Sequence, residues 1–510
     1  MVNASQPIWT HAHARPDAVA LRIDGQEWTF GELRDGSAGW AGRLIHAGVA
    51  PGDRVLLAAG TQADWVFAYH GILAAGAIAV TVNPGSTFNE LRYFLDDSGA
   101  VLALADDGTQ AHVSRAGEEL RVPVWNVNDA AEWTGPPVAQ PRDVDPGDGA
   151  VIMYTSGTTG QPKGAQLTHR GIQGSARSVI EAIEITADDH FGTALPLFHV
   201  FGQVTIIRTA YEAGIPVTLL TKFDAAALLE TAARHGVTLL AGVPTMWNAM
   251  ANVGPEFDSL DFSRLRLALS GGAGLPTKVA AQFHDRYGCE ILAGYGLTET
   301  AGVGACPRIG GPRKPQSAGV AWPGAELAIF DTEHRRLPPG SVGEIGVRCE
   351  MNLKNYWNRP EATAKAWHED WFMTGDLGRM DEDGDLWVVD RIKDLIIRGG
   401  YNVYPKELEE ALYTHPDLLE VAVVGVPDER LGEEIAAVIV LREGRAFDLP
   451  QMQAWMAERI ASYKTPRIYH VVPELPKGST GKILKRKIDR ADVSSLGFRT
   501  VKASGAVPTS

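Results

Sequence analysis

Tyr154-Thr155-Ser156-Gly157-Thr158-Thr159-Gly160-Gln161-Pro162-Lys163-Gly164 gathers glycines, hydroxyls and one lysine directly after the apolar stretch 149–153. Glycines let backbone amides come close to a polyphosphate, hydroxyls donate to its oxygens, and a lysine neutralises its charge. The spacing differs from the P-loop, which ends in Gly-Lys-Ser/Thr, because Lys163 stands between a proline and a glycine. Flexible linkers share this composition. The strand-like run ahead of it and the lysine inside it favour a phosphate-holding loop.

Other runs carry complementary chemistry. Gly294-Tyr295-Gly296-Leu297-Thr298-Glu299-Thr300 follows a second strand-like stretch. Its glycines admit a ligand, Tyr295 offers a flat face to a purine, and Glu299 is a hard oxygen ligand for magnesium. A strand-end turn uses similar residues, so its weight comes from following the first run. Asp376 in Thr374-Gly375-Asp376 stands beside a turn glycine, where a carboxylate can accept from both hydroxyls of a ribose, although turn aspartates are common. Pro476-Lys477-Gly478-Ser479-Thr480-Gly481-Lys482 places a lysine on a glycine loop, within a basic run (Lys482, Lys485, Arg486, Lys487) of a kind usually left to solvent. His199 stands alone in the apolar run 195–204, where a single histidine is more often structural. No Gly-x-Ser-x-Gly elbow marks a serine nucleophile.

In this order the runs resemble the motifs of the adenylate-forming superfamily, which includes acyl-CoA synthetases, firefly luciferase and the adenylation domains of peptide synthetases. The resemblance spans about residues 28–487. It implies that Thr155, Ser156, Gly157, Thr158, Thr159, Gly160 and Lys163 hold the phosphates of ATP. Gly271, Gly272, Ala273 and Gly274 resemble the adenine-side loop, and Gly294, Tyr295 and Gly296 the segment whose tyrosine stacks on adenine. Thr298 matches the residue that meets the α-phosphate, and Glu299, with Thr155, the magnesium site. Asp376 matches the ribose ligand and Arg391 its partner on ribose and phosphate.

The same resemblance makes Lys482 the cation that bridges carboxylate and α-phosphate during adenylation. Attack of one anion on another builds charge on phosphorus, and a cation there stabilises it. His199 matches the family's gating histidine, so His199, Glu299 and Lys482 are the expected catalytic residues. Lys393 falls at the hinge position, which carries Asp or Lys in the family. Gly399, Gly400 and Tyr401 fall on the coenzyme A tunnel, where a side chain at 400 would obstruct pantetheine. His199, Phe201, Val204, Trp247 and Gly271 are expected around the acyl group. Amino-acid-activating relatives normally place an aspartate in this region, and none occurs between Phe198 and Thr205. An apolar pocket favours an aliphatic or aryl acid.

The frame that must position these residues reads as α/β. Strand-like stretches at 53–58, 78–82, 216–220, 237–242, 265–269 and 290–293 alternate with helical compositions at 63–75, 225–235 and 276–287. After about residue 320 the texture changes to antiparallel strands at 326–330 and 343–348, and to a turn at 381–385 feeding 386–389. Beyond 390–393 a small α+β unit follows, with helices at 405–413 and 450–461, strands at 421–426 and 436–441, and a loose tail from Ser494. The expected architecture is a large N-terminal adenylate-forming domain with mixed sheets (1–390) and a small mobile α+β lid (391–510).

With 510 residues, 45% of them hydrophobic and 21% charged, there is ample material for such cores. A net charge of −15 argues against nucleic acid as a partner. Cys289, Cys306 and Cys349 are scattered and read as small apolar residues in a reduced, cytoplasmic protein. Neither a signal peptide nor a run of about 18 apolar residues is seen, while peripheral membrane contact and oligomeric state stay open. The expected activity is an ATP-dependent acyl-CoA synthetase that uses ATP, Mg2+ and coenzyme A. It would activate a carboxylic acid, a medium- or long-chain fatty acid, as acyl-AMP and pass it to coenzyme A, with release of AMP and pyrophosphate. An aryl-acid CoA ligase and an acyl-AMP ligase that loads a carrier protein are the alternatives.

Overall fold

The computed structural model describes residues 3–129, 136–155, 161–478 and 482–499. Among these residues two seven-stranded sheets carry most of the chain. One runs, edge to edge, Ile291–Ala293, Leu267–Ser270, Leu239–Gly242, Phe191–Thr193, Val217–Leu219, Val19–Ile23 and Gln26–Thr29. Its strands are parallel except for the last hairpin. The other runs Asn355–Tyr356, Lys163–Thr168, Gly149–Thr155, Ile78–Thr81, Arg54–Ala58, Leu102–Ala105 and Val124–Asn126. Its first two pairings are antiparallel and the rest parallel.

Central strands such as Arg54–Ala58 and Ile78–Thr81 are apolar over most of their length because helices cover both of their faces. Leu57, Val151 and Leu239 belong to one core that joins the two sheets. Helix Phe88–Ser98 starts at a reciprocal Thr87–Glu90 capping box and ends at Gly99 in the left-handed region, which fixes its length. The expected strands and helices of this region are present, within a few residues at their ends.

The antiparallel strands Ala325–Phe330, Gly343–Cys349, Trp371–Met380 and Leu386–Arg391 form a third layer, as expected. After Arg391 a further sheet is built from Ile396–Arg398, Tyr401–Val403, Leu418–Asp428, Gly432–Leu441, Ile468–Val471 and Phe498–Arg499. Helices Pro405–Tyr413 and Leu449–Ala457 pack on it around cores separate from that of the large sheets. No helix among the described residues is long and apolar enough to cross a membrane.

Two segments depart from the sequence expectation. Of the tail expected to be loose from Ser494, residues 494–499 are ordered, since Arg490–Leu496 is a helix capped by the Asp489 carboxylate and Phe498–Arg499 pairs with Ile468–Val471, while 500–510 lie outside the described residues. Phe498 packs on Phe447 with ring centres 5.0 Å apart, and Val493 is buried, so a few apolar side chains outweigh the polar composition. Residues 201–208 form a π-helix, Phe201–Arg208, that the apolar composition does not announce.

Candidate active site

The phosphate-loop candidate joins two antiparallel strands, Gly149–Thr155 and Lys163–Thr168, with Thr155 directly opposite Lys163. Ser156, Gly157, Thr158, Thr159 and Gly160 lie outside the described residues. The flanks are braced by groups from elsewhere. Tyr154 donates its hydroxyl to Asp97 at 2.8 Å, Arg359 pairs with the same carboxylate, and the Tyr93 hydroxyl donates to the Pro162 carbonyl at 2.7 Å.

At the mouth of this hairpin the Glu299 Oε1 accepts from Thr155 Oγ1 at 3.2 Å and from the Tyr356 hydroxyl at 3.0 Å. The Lys163 ammonium stands 5.2 Å from the Tyr356 ring centre. One carboxylate with hydroxyl neighbours suits magnesium, which keeps few protein ligands and takes substrate phosphates as the rest. Among the described residues no group of three or more His, Cys, Asp or Glu could cage a metal. Glu299 and Thr155 therefore fit an ion that arrives with a polyphosphate.

The nucleoside side is equally compact. Asp376 lies opposite Arg391 across an antiparallel pair and is buried. One of its oxygens accepts from the Tyr295 hydroxyl at 2.9 Å, and the other pairs with Arg391 Nε at 3.1 Å. Burial beside Asp376 holds the Tyr295 phenol well above its usual pKa, so it remains a donor. A carboxylate retains acceptor capacity after two such bonds, enough for a vicinal diol. A Cβ at Gly296 would stand 2.1 Å from the Gly302 carbonyl, and Gly272 has φ +81°, so both positions demand glycine. Ala273 beside Gly272 is exposed, and Gly294 donates its N–H to the Ser270 carbonyl.

Lys482 comes to this site from the far end of the chain. Burial, and then the positive charge of Arg391, lower its pKa to about 8, while Asp376 and Asp394 oppose the shift. His199 feels Lys482 in turn: burial first, and that charge second, bring its pKa to about 4. The imidazole is neutral at pH 7, and its Nδ1 accepts the Phe201 N–H at 3.3 Å, which leaves Nε2 to carry the proton. His199 and Thr298 line a cavity of about 110 Å³ together with Tyr154, Phe198 and the turn after Ile78–Thr81. Asp376 and Arg391 are thus paired, Lys482 stands within reach of their charges and His199 within reach of that of Lys482, an arrangement suited to gathering anions.

Other expected site residues lie elsewhere. Gly399, Gly400 and Tyr401 form an exposed hairpin turn in which Tyr401 packs on Tyr463 at 5.1 Å. Gly400 has φ +84° and nothing within 4 Å of where its Cβ would stand, so in this arrangement its need for glycine is conformational. Lys393 sits on the single turn Ile392–Asp394, just after Leu386–Arg391. Among the acyl-pocket candidates, the Phe201 ring lies over Gly271, 3.2 Å from where a Cβ would be. Val204 is fully buried in the π-helix. Trp247 is fully buried and meets Phe283 edge-on at 5.0 Å, the setting of a core residue. All three cysteines are free, and burial raises each thiol pKa, that of Cys349 to about 11.

Sequence reasoning missed Tyr356, Asp97, Arg359 and Lys406. The dense run Asn355-Tyr356-Trp357-Asn358-Arg359-Pro360 was the available signal for the first and third. Lys406 donates its N–H to Asp390 at 3.0 Å and its ammonium to the Val388 carbonyl at 2.6 Å. It also lies against Gly274, whose Cβ would stand 2.9 Å from the lysine Cε.

Residues 8–357 match the family model of AMP-binding enzyme, and residues 407–482 that of AMP-binding enzyme C-terminal domain. A long-chain-fatty-acid–CoA ligase of Bacillus subtilis (strain 168) is 34% identical over 530 residues, covering 95% of this chain and 93% of its own. A feruloyl-CoA synthase of Amycolatopsis sp is 37% identical over 497 residues, covering 96% and 99% respectively. Among solved structures, ATP-bound MatB from Rhodopseudomonas palustris aligns with a TM-score of 0.90 at 29% identity, covering 97% of this chain and 99% of that one.

Proposed function

We propose that this chain, which belongs to the AMP-binding enzyme family, activates a medium- or long-chain fatty acid. It is an AMP-forming acid–thiol ligase that uses ATP, magnesium and coenzyme A. The acid's carboxylate attacks the α-phosphorus, and the bond to pyrophosphate breaks. The coenzyme A thiolate then attacks the carbonyl of the acyl-adenylate, and AMP leaves with the electron pair. In our reading Asp376 holds the ribose, Tyr295 faces the adenine, and Lys163 with Lys482 and Arg391 gathers the phosphate charge. Glu299 and Thr155 would hold magnesium, which neutralises the departing pyrophosphate. His199 offers an N–H to the reacting carboxylate.

The observation that carries this reading is the placing of Lys482 within reach of the charges of the Asp376–Arg391 pair, with His199 within reach of that of Lys482. It supports an arrangement poised for adenylation, because cations collected there stabilise the charge that grows on phosphorus. We place the hinge at Lys393 and treat 391–510 as the lid that later withdraws Lys482. The fatty-acid preference is supported by the apolar segment around Phe201 and Val204 and by the relative named for long-chain fatty acids. The relative named for feruloyl-CoA favours a second reading, a ring-bearing acid.

Pyrophosphate exchange with straight-chain acids of increasing length and with aryl acids, followed by a coenzyme A thioester assay, tests both. Exchange should peak with a fatty acid, and thioester should appear with free coenzyme A. A peak with aryl acids would replace the first reading by the second. Adenylate without release on coenzyme A would point to a carrier protein.

A further inference from the structure

Tyr356 joins the two halves of the phosphate site. Its strand pairs antiparallel with Lys163–Thr168, and Tyr356 lies directly opposite Ala165. Residues two apart on a strand share a face, so this register lays the phenol ring beside the stem of Lys163. The ammonium is seated 5.2 Å from the ring centre. The ring's far end donates to Glu299 Oε1 at 3.0 Å. Backbone bonds make this a built arrangement: the Leu353 N–H donates to the Glu299 carbonyl at 2.6 Å, and the Tyr356 N–H to Thr363 Oγ1 at 3.0 Å. The segment 353–356 thus holds Glu299 by both its backbone and its carboxylate.

We propose that Tyr356 is a positioning residue that presets Glu299 for the metal and Lys163 for the phosphates of the incoming nucleotide. The proposal rests on the reading of Glu299 and Lys163 given above. A phenol that orients a ligating carboxylate spares the ion the cost of ordering it, and such outer partners are typically worth about 10- to 100-fold in metal affinity. A ring under a lysine holds the ammonium in place without drawing it into an ion pair.

The two contacts can be separated. Tyr356→Phe removes the hydroxyl and keeps the ring, whereas Tyr356→Leu removes both. Binding of Mn2+, read by electron paramagnetic resonance in the presence of α,β-methylene-ATP, should weaken about tenfold in Tyr356→Phe. Binding of the analogue alone in EDTA, read by calorimetry, should be unchanged in Tyr356→Phe and weakened in Tyr356→Leu. Thioester formation from supplied acyl-adenylate should persist in both variants, which also shows that they fold. Unchanged Mn2+ binding in Tyr356→Phe, with Mn2+ binding weakened in Glu299→Gln, would overturn the positioning role. Unchanged Mn2+ binding in Glu299→Gln would overturn the metal assignment on which it rests.

Discussion

At Lys482 the site sets two demands against each other. In the proposed reading adenylation draws on the ammonium's charge, yet burial and Arg391 lower its pKa to about 8. The charged form therefore exists below about 8 and is lost as pH rises through that value. In the free enzyme, kcat/KM for pyrophosphate exchange should fall above about pH 8. In Lys482→Arg, whose side chain stays protonated, that descent should vanish. Lys482→Ala should lose exchange by about 100-fold or more, the scale of removing a donor to transition-state charge. Thioester formation from supplied acyl-adenylate should survive, and equal loss of both steps would refute the division of labour. Resemblance of their runs to family motifs singled out Lys482, Asp376 and Arg391 in the sequence, and the structure pairs Asp376 with Arg391 at 3.1 Å and sets Lys482 within reach of their charges. Tyr356 and Asp97 were not legible there, because what they do depends on which strand or helix end they face. That is a matter of register and packing that one-dimensional spacing does not carry.

Elements tell a similar story. The buried parallel strands were readable because apolar runs bounded by glycine and proline have few other solutions. The antiparallel hairpin around the phosphate loop was half hidden, since residues 163–168 mix lysine and glutamine with apolar residues. The π-helix Phe201–Arg208 has no composition signal, and π-turns occur often at functional sites. It separates the acyl-pocket candidates by physical setting. Phe201 lies over Gly271 near the site, whereas Trp247 is enclosed by Phe283 and Gly242. Phe201→Ala should therefore shift the acid profile toward longer or wider acids, by about 0.8 kcal/mol for each further methylene buried. Trp247→Ala should instead cost about 3–5 kcal/mol of stability, visible as a lowered thermal midpoint. A changed acid profile at unchanged thermal midpoint would return Trp247 to the pocket wall.

At the scale of the whole molecule, the sheet after Arg391 meets the large sheets through a few specific contacts and an open seam. Lys482 reaches the nucleotide side, and Arg442 approaches the Asn252 side chain at 3.5 Å. A cavity of about 560 Å³ remains between the start of helix Thr277–Tyr287 and the helices Pro405–Tyr413 and Leu449–Ala457. Such a loosely filled contact separates at low cost, which suits the proposed lid movement about Lys393. Lys406 is one contact that favours the present arrangement. Its ammonium donates to Val388 and its stem covers Gly274, both in the large unit, and burial lowers its pKa. Lys406→Met keeps the stem and removes the charged hydrogen bond, worth about 1.5–3 kcal/mol. Part of that loss should appear as a shift away from the adenylating arrangement. Pyrophosphate exchange should then slow about tenfold or more, while thioester formation from supplied acyl-adenylate holds or quickens. Limited proteolysis at the 392–394 turn should also become faster if, as proposed, the turn is released when the 391–510 unit departs. Equal slowing of both half-reactions, with proteolysis unchanged, would mean that Lys406 acts on the site itself and not on the balance between the two arrangements.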